Sequence, residues 1–383
     1  MPEQLPQAIE AVIIEARQFL VDEIDSRRAS IHEGDVDVES SRQLHREVRE
    51  ASKRAGFFQK TQPAEFGGNP ASCLELTVLR ELWAKANTPL TRAIFGPGPG
   101  LLHEAEGLLK THYLDPVIAG DKRGAFGFTE PDDAPRPTWA VLDDEKLTIY
   151  GQKSYVTGGA TADFLSILVN VEDPGGAKLG TAMVVVDRDA DGVVIDRTFS
   201  SMEGGGHAAF RFEGAEVPSW HLVGKLGEGM PRALANIQNV RLMVAAEACG
   251  ICLWTLEYLA EQLQQPHRSG ESLSAREGVR LRYADLRIET YAARSMLYRV
   301  ARLVDSGENA VNEVISAKVF CTELVGRVVD TAVQLVGGSA LVTGHPLEHL
   351  YRKVRSMRLI EGANDLLRLN LTKGFFDLGK GSL

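Results

Sequence analysis

The spacing of apolar positions changes twice along the chain. Ala8, Val12, Ile13, Ala16, Phe19 and Leu20 recur every three or four residues, as on one face of a helix. Further helices are predicted over about 39–53, 74–86 and 100–109, with Gly56 and the Pro-Gly-rich loop at 63–70 as breaks. Beyond about residue 125 the pattern shortens. Runs at 147–150, 164–169, 182–186, 193–195 and 209–212 are rich in Val, Ile, Phe, Tyr and Thr, and Gly, Pro and Asp clusters separate them. That pattern predicts an all-β module, a small barrel or sandwich. Gly204–His207 reads as a turn between two of its strands. Helical spacing returns at about 231, with helices expected over 230–264, 275–305 and 312–335 and a last one starting near Asn364. Four long antiparallel helices make a bundle. The expected organisation is multi-domain α+β: an N-terminal helical domain over 1–124, a central β domain over 125–230 and a C-terminal helical bundle over 231–383.

Composition narrows the class. The 383 residues carry 42 basic and 52 acidic side chains, a net charge of −10, which disfavours a nucleic-acid partner. Four cysteines are too few for a disulfide framework and fit a reducing cytoplasm. The first ten residues lack the basic segment of a signal peptide. The most apolar stretch, 242–259, contains Glu247 and Glu257, so it is expected as a helix buried in protein and not as a membrane span. A cytoplasmic enzyme is the expectation these features leave.

Four segments carry candidate chemistry. Phe126-Gly-Phe-Thr-Glu-Pro131 offers the Thr129 hydroxyl and backbone N–H groups, or is simply a capped loop. In Lys153-Ser-Tyr-Val-Thr-Gly-Gly159, Tyr155 and Thr157 alternate and so share a strand face. A ring beside a hydroxyl suits a planar conjugated ligand; a strand edge is the plainer reading. In Leu359-Ile-Glu-Gly-Ala-Asn-Asp365, Glu361 lies against apolar residues, which raises a carboxyl pKa toward that of a general base. Gly362 permits close approach of a ligand. Glu361 and Asp365 are equally readable as acids that help start the last helix. Gln334-Leu-Val-Gly-Gly338 is a helix C-cap or a set of N–H groups for a phosphate. Cys249 and Cys252 have redox spacing but fall inside an apolar helix, so inert thiols are expected. The nine histidines show no ligand spacing, and no metal site is expected.

In order along the chain, these segments resemble the acyl-CoA dehydrogenase family. Gly56-Phe57 with Pro63-Ala-Glu-Phe-Gly-Gly68 is similar to the family's first-domain loop, and Tyr113–Gly120 with Phe126–Pro131 to its entry into the β domain. Gly151–Thr157 is similar to the segment that packs on the flavin. Val217-Pro218 and Gly227-Glu-Gly229 are similar to the exit from that domain, Arg241 with Ala245-Ala246 to the start of the first bundle helix, and Glu348–Arg352 with Ile360–Arg368 to the carboxyl-terminal active-site segment. The resemblance implies that family's fold and FAD as cofactor. It assigns Phe126, Phe128, Thr129, Tyr155, Thr157, Gln334, Gly337, Gly338 and Asp365 to the cofactor, Arg241 and Gly362 to the substrate, and Glu361 as the base that takes the α-proton of an acyl-CoA thioester. Tyr155 stands where the family has tryptophan. Val240 occupies the alternative base position of some members and cannot take a proton. The implied partners are an acyl-CoA substrate, an electron-transfer flavoprotein as electron acceptor, and copies of the same or a related chain in a dimer, tetramer or hetero-oligomer, in lipid metabolism.

The chain also departs from the family. Pro135 stands about where a phosphate-contacting serine is expected, Ser269 for a phenylalanine, Glu277 for a flavin-contacting glutamine, Ala340 for a glycine and Ala363 for a threonine. These changes keep two alternatives open: a flavin-poor partner subunit of a hetero-oligomer, and a flavin oxidase or biosynthetic dehydrogenase on the same fold.

Overall fold

The computed structural model describes residues 2–28, 38–202 and 204–379. Helices α1 (Gln7–Phe19), α2 (Ser26–Arg28), α3 (Val38–Ala55) and α4 (Cys73–Lys85) come first. The short α5 (Gly107–Leu109) and α6 (Asp115–Ala119) precede the strands. These are β1 (Gly124–Gly127), β2 (Trp139–Asp143), β3 (Lys146–Thr157), β4 (Phe164–Glu172), β5 (Lys178–Asp187), β6 (Val193–Ser201), β7 (Gly204–Pro218) and β8 (Leu222–Val223). Helices α7 (Gly229–Gln264), α8 (Glu277–Asp305), α9 (Val311–Val336), α10 (Pro346–Ser356) and α11 (Asn364–Phe376) complete the order.

Three expectations are corrected. The helix expected over 100–109 is a 3₁₀ turn at Gly100–Leu102 and the one-turn α5, because Gly100 and Gly107 take positive φ, which breaks a right-handed helix. The glycines at 204–206 open strand β7 instead of forming the turn: Ser201 already pairs with Gly204. Helix α10 falls between residue 335 and Asn364, where the spacing predicts no helix. Pro346 sits at its first turn, where a missing N–H costs nothing, and His345 Nδ1 accepts the Leu347 N–H at 3.1 Å as its cap.

Contacts divide the chain differently from the three expected regions. One compact unit contains Met1–Thr61, Asn69–Phe95 and Gln238–Leu383; the other contains Gln62–Gly68 and Gly96–Ile237. In the helical unit, α1 and α4 each serve two cores. Ile9, Ile13, Leu74 and Val78 join the bundle core of α7, α8 and α9, whereas Ala16, Phe19, Leu79 and Trp83 join a second core with Val48, Phe57 and Ile94. That sharing is why the N-terminal helices and the bundle form one body. The stretch from Val240 to Gln264 is apolar and long enough to cross a membrane, but most of it is buried in this core, as its glutamates led one to expect.

Helix α7 passes close to α4 at Gly250. A methyl group there would lie 2.3 Å from the Glu81 carbonyl oxygen and 2.6 Å from Ala84 Cβ. Gly250→Ala is therefore expected to destabilise by about 1–3 kcal/mol of overpacking, outweighing the ~1 kcal/mol helix-propensity gain. A lowered urea midpoint would show it. The neighbouring thiols of Cys249 and Cys252 are buried, and burial holds both well above the ordinary thiol pKa, Cys249 chiefly through its 3.6 Å contact with Cys321 Sγ.

In the β unit the strands run in the order β6-β7-β3-β2-β4-β5-β8, with β1 parallel to β4. Strands β4 and β5 are buried on both faces. Leu165, Ile167, Val169, Val184 and Val186 face one core; Phe164, Leu168, Met183 and Val185 face another, closed by Leu102, Leu109, Leu114 and Val117. Two-sided burial explains the unbroken apolar run at 182–186. It also explains why the helical turns after residue 96 fold with the sheet. The Gln62–Gly68 loop belongs here too: Gln62 Nε2 donates to Pro97 O at 3.1 Å and Ile118 O at 2.8 Å.

Candidate active site

The expected site residues fall in both units. In the β unit, β1 runs into Phe128-Thr129-Glu130, and the loop is pinned to β3 from below. Lys153 is 1% exposed; its Nζ donates to Glu130 Oε1 at 2.7 Å and to Phe128 O at 3.3 Å. Glu130 Oε1 also accepts the Thr138 N–H at 2.8 Å, and Thr129 O accepts the Ser154 N–H at 2.9 Å. Burial pushes the Glu130 carboxyl up, but Lys153 and the Thr138 amide outweigh it and hold it below the usual range. Burial pulls the Lys153 ammonium down, and Glu130 opposes. The sequence reading missed this pair. An isolated lysine two residues before an aromatic on an otherwise half-apolar strand was its only signal.

Above that pair, β3 bulges against β7 between Lys153 and Val156. Tyr155 takes φ +54°, a conformation that costs a non-glycine residue about 1–3 kcal/mol, and the residue is 62% exposed. Val156 is buried; Tyr155 and Thr157 are both exposed, so they do share a face. The Tyr155 ring meets Phe199 edge-on at 5.6 Å, and Phe199 stacks on His207, also at 5.6 Å. His207 is paired across the ladder with Thr157, so their side chains lie on one face. Its Nδ1 is buried and has no partner among the described residues. Phe126 and Phe128 stack at 5.9 Å, and Thr129 is exposed.

In the helical unit, α10 and α11 are joined by a loop that holds Glu361 at φ +55° and Gly362 at φ +97°. Among the described residues, Tyr155 and Glu361 are two of four non-glycine residues with positive φ; the other two, Asn87 and Asp144, are types that adopt it readily. Arg241 Nε donates to Glu361 O at 3.0 Å, so this arginine grips the backbone of that residue. Lys318 Nζ donates to Gly362 O at 2.9 Å and to Asn364 Oδ1 at 2.8 Å. Burial raises the Glu361 carboxyl above the ordinary range, and Arg241 and Lys318 oppose it. Burial lowers Arg241. Lys318, Thr322, Glu323 and Asn364 were not singled out from sequence.

The remaining expected residues lie apart from these. Asp365 is in the first exposed turn of α11 and pairs with Arg368 at 2.9 Å, while Glu361 precedes the N-cap Ala363 and takes no part in starting the helix. Gln334 is exposed near the end of α9. Gly337 is that helix's C-cap; its N–H bonds Val333 O at 2.9 Å, and a 3₁₀ turn from Gly338 to Leu341 follows. The cap reading therefore accounts for these glycines within the chain. Ser269 accepts from Arg276 Nη2 at 2.8 Å and contacts His267 Nδ1 at 2.8 Å; Glu277 begins α8. Among the described residues, no cluster of His, Cys, Asp or Glu could hold a metal.

A flavin ring needs a flat aromatic neighbour and hydrogen-bonding groups at its edge. The β unit supplies both: the exposed Tyr155 ring, the exposed Thr129 and Thr157 hydroxyls, and the unsatisfied His207 nitrogen on the same face as Thr157. The ring end of FAD fits these residues. Pro135, standing where the resemblance expects a phosphate-contacting serine, brings neither a hydroxyl nor an N–H.

Residues 227–376 match the family described as "Acyl-CoA dehydrogenase, C-terminal domain". An acyl-CoA dehydrogenase of Bacillus subtilis is 30% identical over 271 residues, 69% of this chain and 71% of that protein. Acryloyl-CoA reductase (NADH) of Anaerotignum propionicum is 27% identical, covering 81% of this chain and 82% of its own. The structure of butyryl-CoA dehydrogenase from Megasphaera elsdenii shares the fold, with a TM-score of 0.79 at 21% identity over 96% of this chain and 98% of that one. The chain belongs to the acyl-CoA dehydrogenase family, flavoproteins whose cofactor is FAD.

Proposed function

We propose that the protein dehydrogenates an acyl-CoA thioester to the trans-2-enoyl-CoA, with Glu361 as the base. The observation that carries this reading is the state of that carboxyl. It is half-buried on a strained turn, and the two cations beside it bond backbone and amide oxygens instead of it. A carboxylate so desolvated takes a proton more readily than one in water.

An α C–H beside a thioester is a weak acid. Glu361 removes this proton, and its backbone N–H donates to the thioester oxygen as negative charge gathers there, a contact worth about 2.7–4 kcal/mol of barrier. FAD, when bound, would supply the acceptor for the hydride that leaves the β carbon. Phe126, Phe128 and Thr129 would hold the ring edge, Tyr155 and Thr157 its face, and Gln334, Gly337, Gly338 and Asp365 more distant parts of the cofactor. Arg241 and Gly362 would serve the substrate by fixing the turn it meets. Val240, an aliphatic residue, leaves Glu361 as the base. The finer assignments follow from the same reading: a cytoplasmic oligomer that passes electrons to an electron-transfer flavoprotein and acts in lipid metabolism.

A second direction is favoured by the reductase among the relatives. The same groups run backward would reduce an enoyl-CoA, with Glu361 returning the proton. An anaerobic titration separates the readings. Purified protein is expected to be yellow, and one of a panel of CoA thioesters should bleach the flavin; rapid reoxidation by an enoyl-CoA would favour the reductase. Colourless protein that FAD cannot reconstitute would sink both. Because only ionised Glu361 accepts a proton, kcat/KM should fall on the acid side through a pKa above the usual carboxylate range, as a pH profile would show.

A further inference from the structure

We infer that Lys318 is the positioning residue of the base, a buried clamp that fixes the left-handed Glu361–Gly362 turn from beneath; the inference rests on Glu361 being that base. Lys318 lies on α9 with no exposed surface, in a helix whose neighbouring inward positions are Ile315, Ala317, Cys321 and Leu324. Packing alone would place an aliphatic side chain here. Burying an ammonium is costly unless its donors are used. Its presence in an apolar helix face points to a use for its donors.

That use is legible in its acceptors. Both are in the base segment, Gly362 O at 2.9 Å and Asn364 Oδ1 at 2.8 Å, and neither is a carboxylate. Asn364 is itself buried. Its amide donates back to α9, to Thr322 Oγ1 and Glu323 Oε1, each at 2.9 Å, and its N–H closes the loop onto Arg358 O at 2.9 Å. Arg241 holds the preceding carbonyl, that of Glu361, at 3.0 Å. Two consecutive carbonyls are thus each held by a cation from a different helix, Arg241 on α7 and Lys318 on α9. Fixing both peptide planes sets the direction of the Glu361 side chain, in a conformation that would otherwise relax.

The charged groups facing Lys318 are Arg241 on α7, Glu361 in the loop and Glu323 on its own helix. Burial, then Arg241, pulls its ammonium down to about 8, and the two glutamates oppose that pull. In turn Lys318 opposes the upward push of burial on Glu361.

Lys318→Met keeps length and apolar volume and removes the donor and the charge. In the FAD-loaded protein, amide exchange over residues 358–363 is expected to quicken about tenfold or more, with FAD retained and thermal stability lowered only by the acceptors left unmet. Flavin bleaching should slow at nearly constant KM, and the acid limb of the rate profile should move to higher pH as Glu361 loses a stabilising cation. A purely structural lysine would lower stability but leave loop exchange and that limb in place; unchanged loop exchange with an unmoved limb overturns the clamp. Loop exchange does not depend on the identity of the base, so failure of the base assignment, seen as normal bleaching by Glu361→Gln, is distinguishable. If Lys318→Met does not fold, Asn364→Ala removes one acceptor and should also quicken exchange of this loop; no change would overturn the clamp.

Discussion

Glu361→Gln protein is expected to retain FAD and bind acyl-CoA, yet reduce its flavin about 10²–10⁴-fold more slowly, the usual worth of a positioned base. Glutamine is nearly isosteric and cannot accept the proton. The substitution is clean here because the turn is held through its backbone. Arg241 bonds Glu361 O and Lys318 bonds Gly362 O, and neither contact involves the carboxyl. The loop should therefore keep its shape, and loss of rate can be attributed to loss of the proton acceptor. Stopped-flow bleaching under anaerobic conditions reads this directly. A near-normal rate would show that another group takes the proton.

The second large effect concerns stability. Glu81 on α4 is 4% exposed and forms a two-pronged ion pair with Arg294 on α8, Nε at 2.7 Å and Nη2 at 2.6 Å, while Tyr298 OH donates to Glu81 Oε1 at 2.9 Å. Although burial opposes it, Glu81 holds the Arg294 guanidinium above its ordinary pKa; burial above all, and then Glu81, raises the Tyr298 phenol. Arg294→Ala would leave Glu81 charged and unpaired inside the unit, which costs about 3–5 kcal/mol. Against the 5–15 kcal/mol of a typical domain, that is a severe loss. Urea unfolding should show an unfolding free energy lowered by that amount, and a correspondingly lower midpoint. Because α4 and α8 belong to one unit, far-ultraviolet circular dichroism should report loss of the N-terminal helices and the bundle together. Separate transitions would contradict a shared core.

The helix, strand, helix order was legible because spacing of apolar residues reports burial on one face. It failed where burial is two-sided or where backbone conformation decides. Residues 100–109 have helical composition, but Gly100 and Gly107 sit at positive φ. Strand β1 and helix α10 were invisible: β1 has four residues, and α10 starts on a proline that reads equally well as a loop. Tyr155 and Glu361 were singled out from their neighbours, and both turn out to have strained backbones. Lys153 and Lys318 were missed because a charged residue in an apolar stretch ordinarily reads as a solvated one. Only the folded chain shows that each is buried beneath a loop of the candidate site.

The central claim is that Glu361 and bound FAD together remove hydrogen from adjacent carbons of an acyl-CoA. Single-turnover flavin bleaching by wild-type protein, with substrate deuterated at the α carbon and separately at the β carbon, tests it most directly. The account predicts that each label slows bleaching, as expected when a proton leaves one carbon and a hydride the other. Bleaching at an unchanged rate with the α-deuterated thioester, or no bleaching by any acyl-CoA in FAD-loaded protein, would contradict it.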